Sequence, residues 1–252
     1  MKANEISIGK VSLGRLQDSN IGNSQKIAWI NYDSNKKPLQ LKTPLFATET
    51  YGIPRQGQYY QSDKDRSFYK LPFCHERAQI SEIDYSEIES FYNKLVELDQ
   101  FFGSEERRVE LFGEKNANKY EYQPIVRTPS LIEDEGEDEV DDGSYKPSGY
   151  RPPYMKVKLP LSFEKNVPLF QVWEKKVGGE RREVALESFA DVLTHMKFLS
   201  RHRMIMELQK VYAMKTNSGG VKKKYGVTVK LVAVECTNDE SRVRSTPCVD
   251  MF

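Results

Sequence analysis

Two long runs near the C-terminal end, Arg203–Met214 and Lys224–Val234, constrain this 252-residue chain more than any other feature. Both read as β-strands, and Asn217, Ser218, Gly219 and Gly220 between them make a Gly-rich tip, so the spacing predicts a hairpin. From Lys197 to Lys230 the stretch holds nine lysines and arginines against one acid, Glu207. Tyr212 and Tyr225 sit among those cations. Cations attract phosphates without regard to sequence, and aromatic faces accept unstacked bases. The plain alternative is an exposed hairpin with a solvated basic face.

The formal net charge of +1 hides this polarity. The segment EDEGEDEVDD, Glu133 to Asp142, carries eight acids and no base; with it set aside, 29 acids face 38 bases. The chain reads as a basic body with an acidic insert, at about 128–149, which is poor in large apolar residues and expected to be flexible. Residues 1–237 are expected to form one nucleic-acid-binding domain and 238–252 a loose tail. There is no run of about 18 apolar residues, so no membrane-spanning helix and no membrane association are expected. The N-terminus lacks the apolar core of a signal peptide. Cys74, Cys236 and Cys248 form no CxxC pair, which points to free thiols in a reducing, intracellular compartment and to no zinc site.

Strands are expected at Lys26–Tyr32, Pro38–Leu41, Leu45–Tyr51 and Ser67–Phe73, then at Val109–Phe112, Tyr120–Val126, Tyr150–Leu159 and Pro168–Val177. Asp84–Phe102 is the clearest helix. Asp84 as N-cap with Glu87 makes a capping box, Ile83 and Ile88 a staple, and Ile88, Phe91, Tyr92, Leu95, Leu98, Phe101 and Phe102 one broad apolar face. A shorter helix is expected at about 187–199, with Phe189, Val192, Leu193 and Met196 on one side. Short strands at this spacing favour a barrel or sandwich over a parallel α/β sheet, so the class is mainly β with added helices (α+β).

Enzymatic chemistry finds little to work with. His75, His195 and His202 are the only histidines. His202 lies between two arginines that oppose its protonation, and Cys74 and His75, as neighbours in a strand, point to opposite faces. There is no phosphate loop of the GxxxxGK[ST] or GxGxxG kind, and the acidic run lacks the spaced oxygens of a calcium loop. No catalytic residue, metal ligand or cofactor is assigned. The positive signal is basic and aromatic: besides the hairpin, YRPPYMKVK places Arg151, Tyr154, Lys156 and Lys158 within eight residues.

The segments LKTPLF from Leu41, ELFGEKN running into YQPIVR at Tyr122, RPPYMKVKLP after the acidic gap, and KKYGVTVKLVAVE at Lys223 to Glu235 resemble the single-stranded DNA-binding proteins of nucleo-cytoplasmic large DNA viruses. The resemblance spans about Lys26 to Glu235. It implies an OB-fold-like barrel with extra strands, capped by the mid-chain helix at about 84–102. It also implies a role coating exposed strands in viral genome replication, recombination or repair, at the infected-cell replication site. By the same resemblance Tyr212 matches the aromatic ending the penultimate strand, and Lys224-Tyr225-Gly226 the start of the last. Related binders often end in an acidic tail with a terminal aromatic; here the acids are internal and only Asp250-Met251-Phe252 is similar.

The residues expected at single-stranded DNA are therefore Arg151, Lys156, Lys158, Arg203, Lys210, Lys222, Lys223, Lys224 and Lys230 on phosphates, with Tyr154, Tyr212 and Tyr225 stacking on bases. Replication proteins are the further partners implied, with self-association or cooperative assembly along the strand. The alternative is a non-enzymatic protein-interaction or virion scaffold module that uses the acidic insert.

Overall fold

The C-terminal hairpin is the spine of the molecule. In a computed structural model, strand β12 (Arg201–Met214) runs antiparallel to β13 (Lys223–Thr237). The structure describes residues 1–19, 24–47, 51–73, 84–129, 152–175, 179–197, 200–217 and 220–237. Arg151, Cys74, His75, Ile83 of the expected staple, Ser218 and Gly219 of the expected tip, Cys248, the acidic run and the tail from 238 lie outside them.

Both long strands change partners along their length. β12 pairs on its far side with β3 (Gln25–Tyr32) at its C-terminal half, and with β4 (Leu39–Lys42) and β5 (Phe46–Ala47) nearer its start. β13 runs parallel to β7 (Tyr120–Gln123) at its beginning and to β10 (Gln171–Lys175) at its end, and bridges β9 (Tyr154–Lys158) at Lys230–Lys158. Register shifts between Ile205 and Met206 and between Leu208 and Lys210 bend the ribbon, as bulges do. β1 (Val11–Leu13) and β2 (Gln17–Asp18) flank β3, β6 (Phe68–Pro72) and β8 (Val126–Arg127) flank β9, and β11 (Arg181–Val184) lies against β10. All thirteen described strands join one sheet, and the class is a β-rich α+β fold, as the sequence predicts.

Helix α1 (Tyr85–Gly103) covers one side of the core. Asp84 caps it by accepting from the Ser86 and Glu87 amides. The capping box is not completed: Glu87 turns instead to Lys2, 3.6 Å away. Ile88, Phe91, Leu95, Leu98 and Phe102 are buried, and Phe91 meets Phe46 edge-on at 6.0 Å. They close over Leu39, Leu41, Leu71, Met155, Val157, Met206, Leu208 and Leu231, all at 0% exposure. Asp99, on the helix's polar side, accepts from the Tyr122 hydroxyl (2.7 Å) and the Ile125 and Val126 amides (2.7 and 3.0 Å), fastening α1 to β7 and β8.

Val109–Phe112, expected as a strand, is instead the end of α2 (Glu105–Phe112). Ser104 caps that helix through the Arg107 amide, Glu105 and Glu106 sit favourably in its first turn, and Gly113 ends it at φ 74°. A single turn, α3 (Glu114–Ala117), follows. The second predicted helix is present as α4 (Phe189–His195), with Phe189 and Val192 buried and Ser188 in a capping box with Asp191.

Candidate nucleic-acid interface

Strand alternation decides which side chains leave the core. On β9, Met155 and Val157 are buried, so Lys156 and Lys158 face the other way. On β6, Tyr69 and Leu71 point in while Phe68 and Lys70 point out. On β13, Val229 and Leu231 are buried and Lys230 lies between them on the outer side. On β12 the shift after Leu208 brings Lys210 outward, and on β3 Trp29 sits outward between buried Ala28 and Ile30.

Register then lines these residues up. Trp29 is opposite Lys210, Lys210 opposite Thr228, Lys230 opposite Lys158, and Lys158 opposite Phe68. The result is a band crossing five strands, β3, β12, β13, β9 and β6. Trp29 is 44% exposed, and the Lys210 ammonium stands 5.8 Å from its ring centroid. At the other end the Lys156 ammonium lies 4.9 Å from the Phe68 centroid. Burial, and then the adjacent Lys158 charge, hold the Lys210 ammonium pKa below the ordinary lysine range.

Lys158, Lys210 and Lys230 have no ion-pair partner among the described residues, and Lys230 faces Glu207 across the ladder without forming one. Like charges opposite one another destabilise a sheet. A polyanion relieves that repulsion and releases its own counterions on binding. An exposed indole beside them supplies the flat apolar face that an unstacked base requires.

Of the expected site residues, Lys156, Lys158, Lys210 and Lys230 are brought together. Lys224 continues the same face by alternation, beyond Gly226 and beside Glu121 of β7. Tyr212 lies on that face too, half-buried, opposite Gly226. Its hydroxyl comes within 3.0 Å of where a Cβ at residue 226 would sit, so a larger residue there would push the ring aside. Burial raises the Tyr212 pKa, while Arg127 nearby pulls it the other way.

Two stacking assignments are corrected. Tyr225 is 0% exposed: its ring meets Phe112 edge-on at 5.3 Å and its hydroxyl donates to the Phe102 carbonyl at 3.0 Å, with burial pushing its pKa up to about 12. Tyr154 is 4% exposed, 5.1 Å from the Tyr51 ring and beneath the Lys70 ammonium at 5.4 Å. Neither offers a face to a base. Lys222 is exposed beyond the hairpin tip, while Lys223 lies 5.9 Å over the Tyr120 ring on the β7 side. Arg203 is also apart, sharing Glu235 with Arg181.

Trp29 and Phe68 were not singled out from the sequence. The signal is there: in KIAWINY, Ala28, Ile30 and Tyr32 alternate inward, which leaves a tryptophan on the polar side. The same reading of SFYKLPF places Phe68 beside Lys70.

His202 is wholly buried, its ring 5.6 Å from Tyr69 and its Nε2 2.8 Å from the Ser200 hydroxyl. Loss of hydration, rather than the flanking arginines, lowers its pKa to about 4. Cys236 is sealed in the core, where burial raises its thiol pKa. No group of three or more potential metal ligands occurs among the described residues.

No protein-family model matches the chain. It is similar to an uncharacterized protein of Acanthamoeba polyphaga mimivirus, with 30% identity over 257 aligned positions covering 94% of this chain. The chain spans 60% of the length of that relative. Among the described residues no helix is long and apolar enough to cross a membrane.

Proposed function

We propose that this chain is a non-enzymatic, sequence-tolerant binder of single-stranded DNA that coats exposed strands during viral genome replication, recombination or repair. The observation that carries the reading is the Trp29–Lys210 pair at the end of a band continued by Lys230 and Lys158. In this reading the lysines track the phosphates and Trp29 stacks on a base, with Tyr212 at the margin. A duplex keeps its bases stacked and paired, so it satisfies the lysines but not the indole. The viral relative is consistent with a viral setting, and the resemblance of the four sequence patches supplies the replication context. Replication proteins and cooperative self-assembly on the strand are the partners this reading implies, within an infected cell.

The test is fluorescence anisotropy with labelled oligo-dT, a duplex of the same length and an RNA oligomer. The proposal expects oligo-dT to bind more tightly than the duplex, and expects Trp29→Ala to erase most of that preference. Equal affinity for all three, or no binding to any, contradicts it; strong self-association that ignores nucleic acid favours a scaffold.

A further inference from the structure

Arg203 does not join the band, and where it goes instead is informative. A cavity of about 440 Å³ opens between the N-terminal residues, the end of β4, the first two turns of α1 and β12. That is within the range of small-molecule sites, roughly 300–1,000 Å³. Three cations from three separate elements line it: Lys2, Lys42 and Arg203. Ser86 and Ser90, one helical turn apart, add hydroxyls.

The charges there are not balanced. Glu87 is the one acid in the lining and it is taken by Lys2. Lys42 has no ion-pair partner among the described residues, although a parallel bridge sets it directly beside Lys2. Arg203 reaches Glu235 at only 3.9 Å, and Arg181 competes for the same carboxylate at 3.4 Å. Ser86 gives its hydroxyl hydrogen to Asp84 at 2.6 Å, and Ser90 Oγ has no partner among the described residues, so Ser90 is free to donate. With Lys2 held by Glu87, Lys42 and the loosely paired Arg203 are the cations left open to an added anion.

We infer that this cavity is a second binding site, for a small phosphomonoester of mononucleotide size. Lys42 and Arg203 would hold a terminal phosphate, Ser90 would donate to it, and Pro44 and Phe91 form the apolar wall behind. A recess suits the end of a molecule. An internal phosphodiester, continued on both sides, suits the open band instead. The site shares none of the band's residues, so it stands whether or not the chain binds DNA.

Isothermal titration of the full chain with thymidine 5′-monophosphate, inorganic phosphate and thymidine tests it. The expected result is saturable binding of the monophosphate, competition by phosphate, and none by thymidine. Lys42→Ala removes an exposed side chain and should leave the unfolding midpoint in place while weakening the monophosphate by about tenfold. Arg203→Gln should weaken it similarly, and neither change should shift oligo-dT affinity. Failure of the monophosphate to saturate, or equal affinity in Lys42→Ala, overturns the inference. Parallel loss of oligo-dT binding in Lys42→Ala also overturns it, because the cavity would then be part of the strand's path.

Discussion

Trp29 and Lys210 face each other across β3 and β12, with the ammonium 5.8 Å from the indole centroid on the outer side of the sheet. A cation and an aromatic plane are thus presented together, held by strands whose opposite sides are locked in the core. Stacking is worth about 1–3 kcal/mol per base. Trp29→Ala should therefore weaken oligo-dT by about 5- to 150-fold, with little change in stability because the ring is 44% exposed. Trp29 and Trp173 are the only tryptophans. In a Trp173→Phe background, oligo-dT should quench the remaining emission, and unchanged emission on saturation would contradict stacking.

Gly226 is fixed by what crosses it. A Cβ there would come within 2.9 Å of the Gln123 carbonyl and 3.0 Å of the Tyr212 hydroxyl. The carbonyl belongs to a paired strand and cannot yield cheaply. Gly226→Ala should cost about 1–3 kcal/mol in urea unfolding. Gly226→Ala combined with Tyr212→Phe relieves only the second contact and should recover little.

Asp99 holds three donors at once, from the Tyr122 side chain and two backbone amides. Asp99→Ala strands them part-buried, at about 1–3 kcal/mol for an unsatisfied group. The expected loss is about 3 kcal/mol, read by thermal or urea unfolding. A loss under about 0.5 kcal/mol would mean that the helix is not fastened there.

His202 sets an acid limit on the fold. Its folded pKa of about 4 lies below the ordinary value of 6.5, so the folded state binds its proton less readily than the unfolded chain. The associated stability is complete above about pH 6.5 and drains away as pH falls toward 4. Two and a half pKa units correspond to about 3 kcal/mol. His202→Phe keeps an aromatic ring beside Tyr69, and Ser200 retains the Lys197 carbonyl as acceptor. Urea midpoints at pH 7, 5.5 and 4.5 should fall more steeply for the wild type than for this variant; parallel curves would contradict the assignment.

The hairpin, the capping residue Asp84 and the buried stripe of α1 were legible because each is written in local spacing. The fates of Tyr154 and Tyr225 were not. Alternation says which residues share a face, but not whether another element covers it. Phe102 and Phe112, more than a hundred residues away, seal Tyr225, and Tyr51 packs on Tyr154. Val109–Phe112 misled for a related reason: three apolar residues suit a strand, yet the Ser104 cap and Gly113 stop had already enclosed them in a helix. Lys156, Lys158, Lys210 and Lys230 were legible as cations, while their convergence needed the Lys230–Lys158 bridge between distant strands.

The central claim is that Lys158, Lys210 and Lys230 together engage the phosphates of an unpaired strand. Salt titration of oligo-dT binding tests it most directly, comparing the wild type with the variant carrying Lys158→Ala, Lys210→Ala and Lys230→Ala. Each neutralised phosphate contributes roughly 0.7 to the slope of log affinity against log salt, so the variant should bind more weakly and with a slope shallower by about 2. An affinity that ignores salt, or a variant whose titration overlays the wild type, would contradict the account.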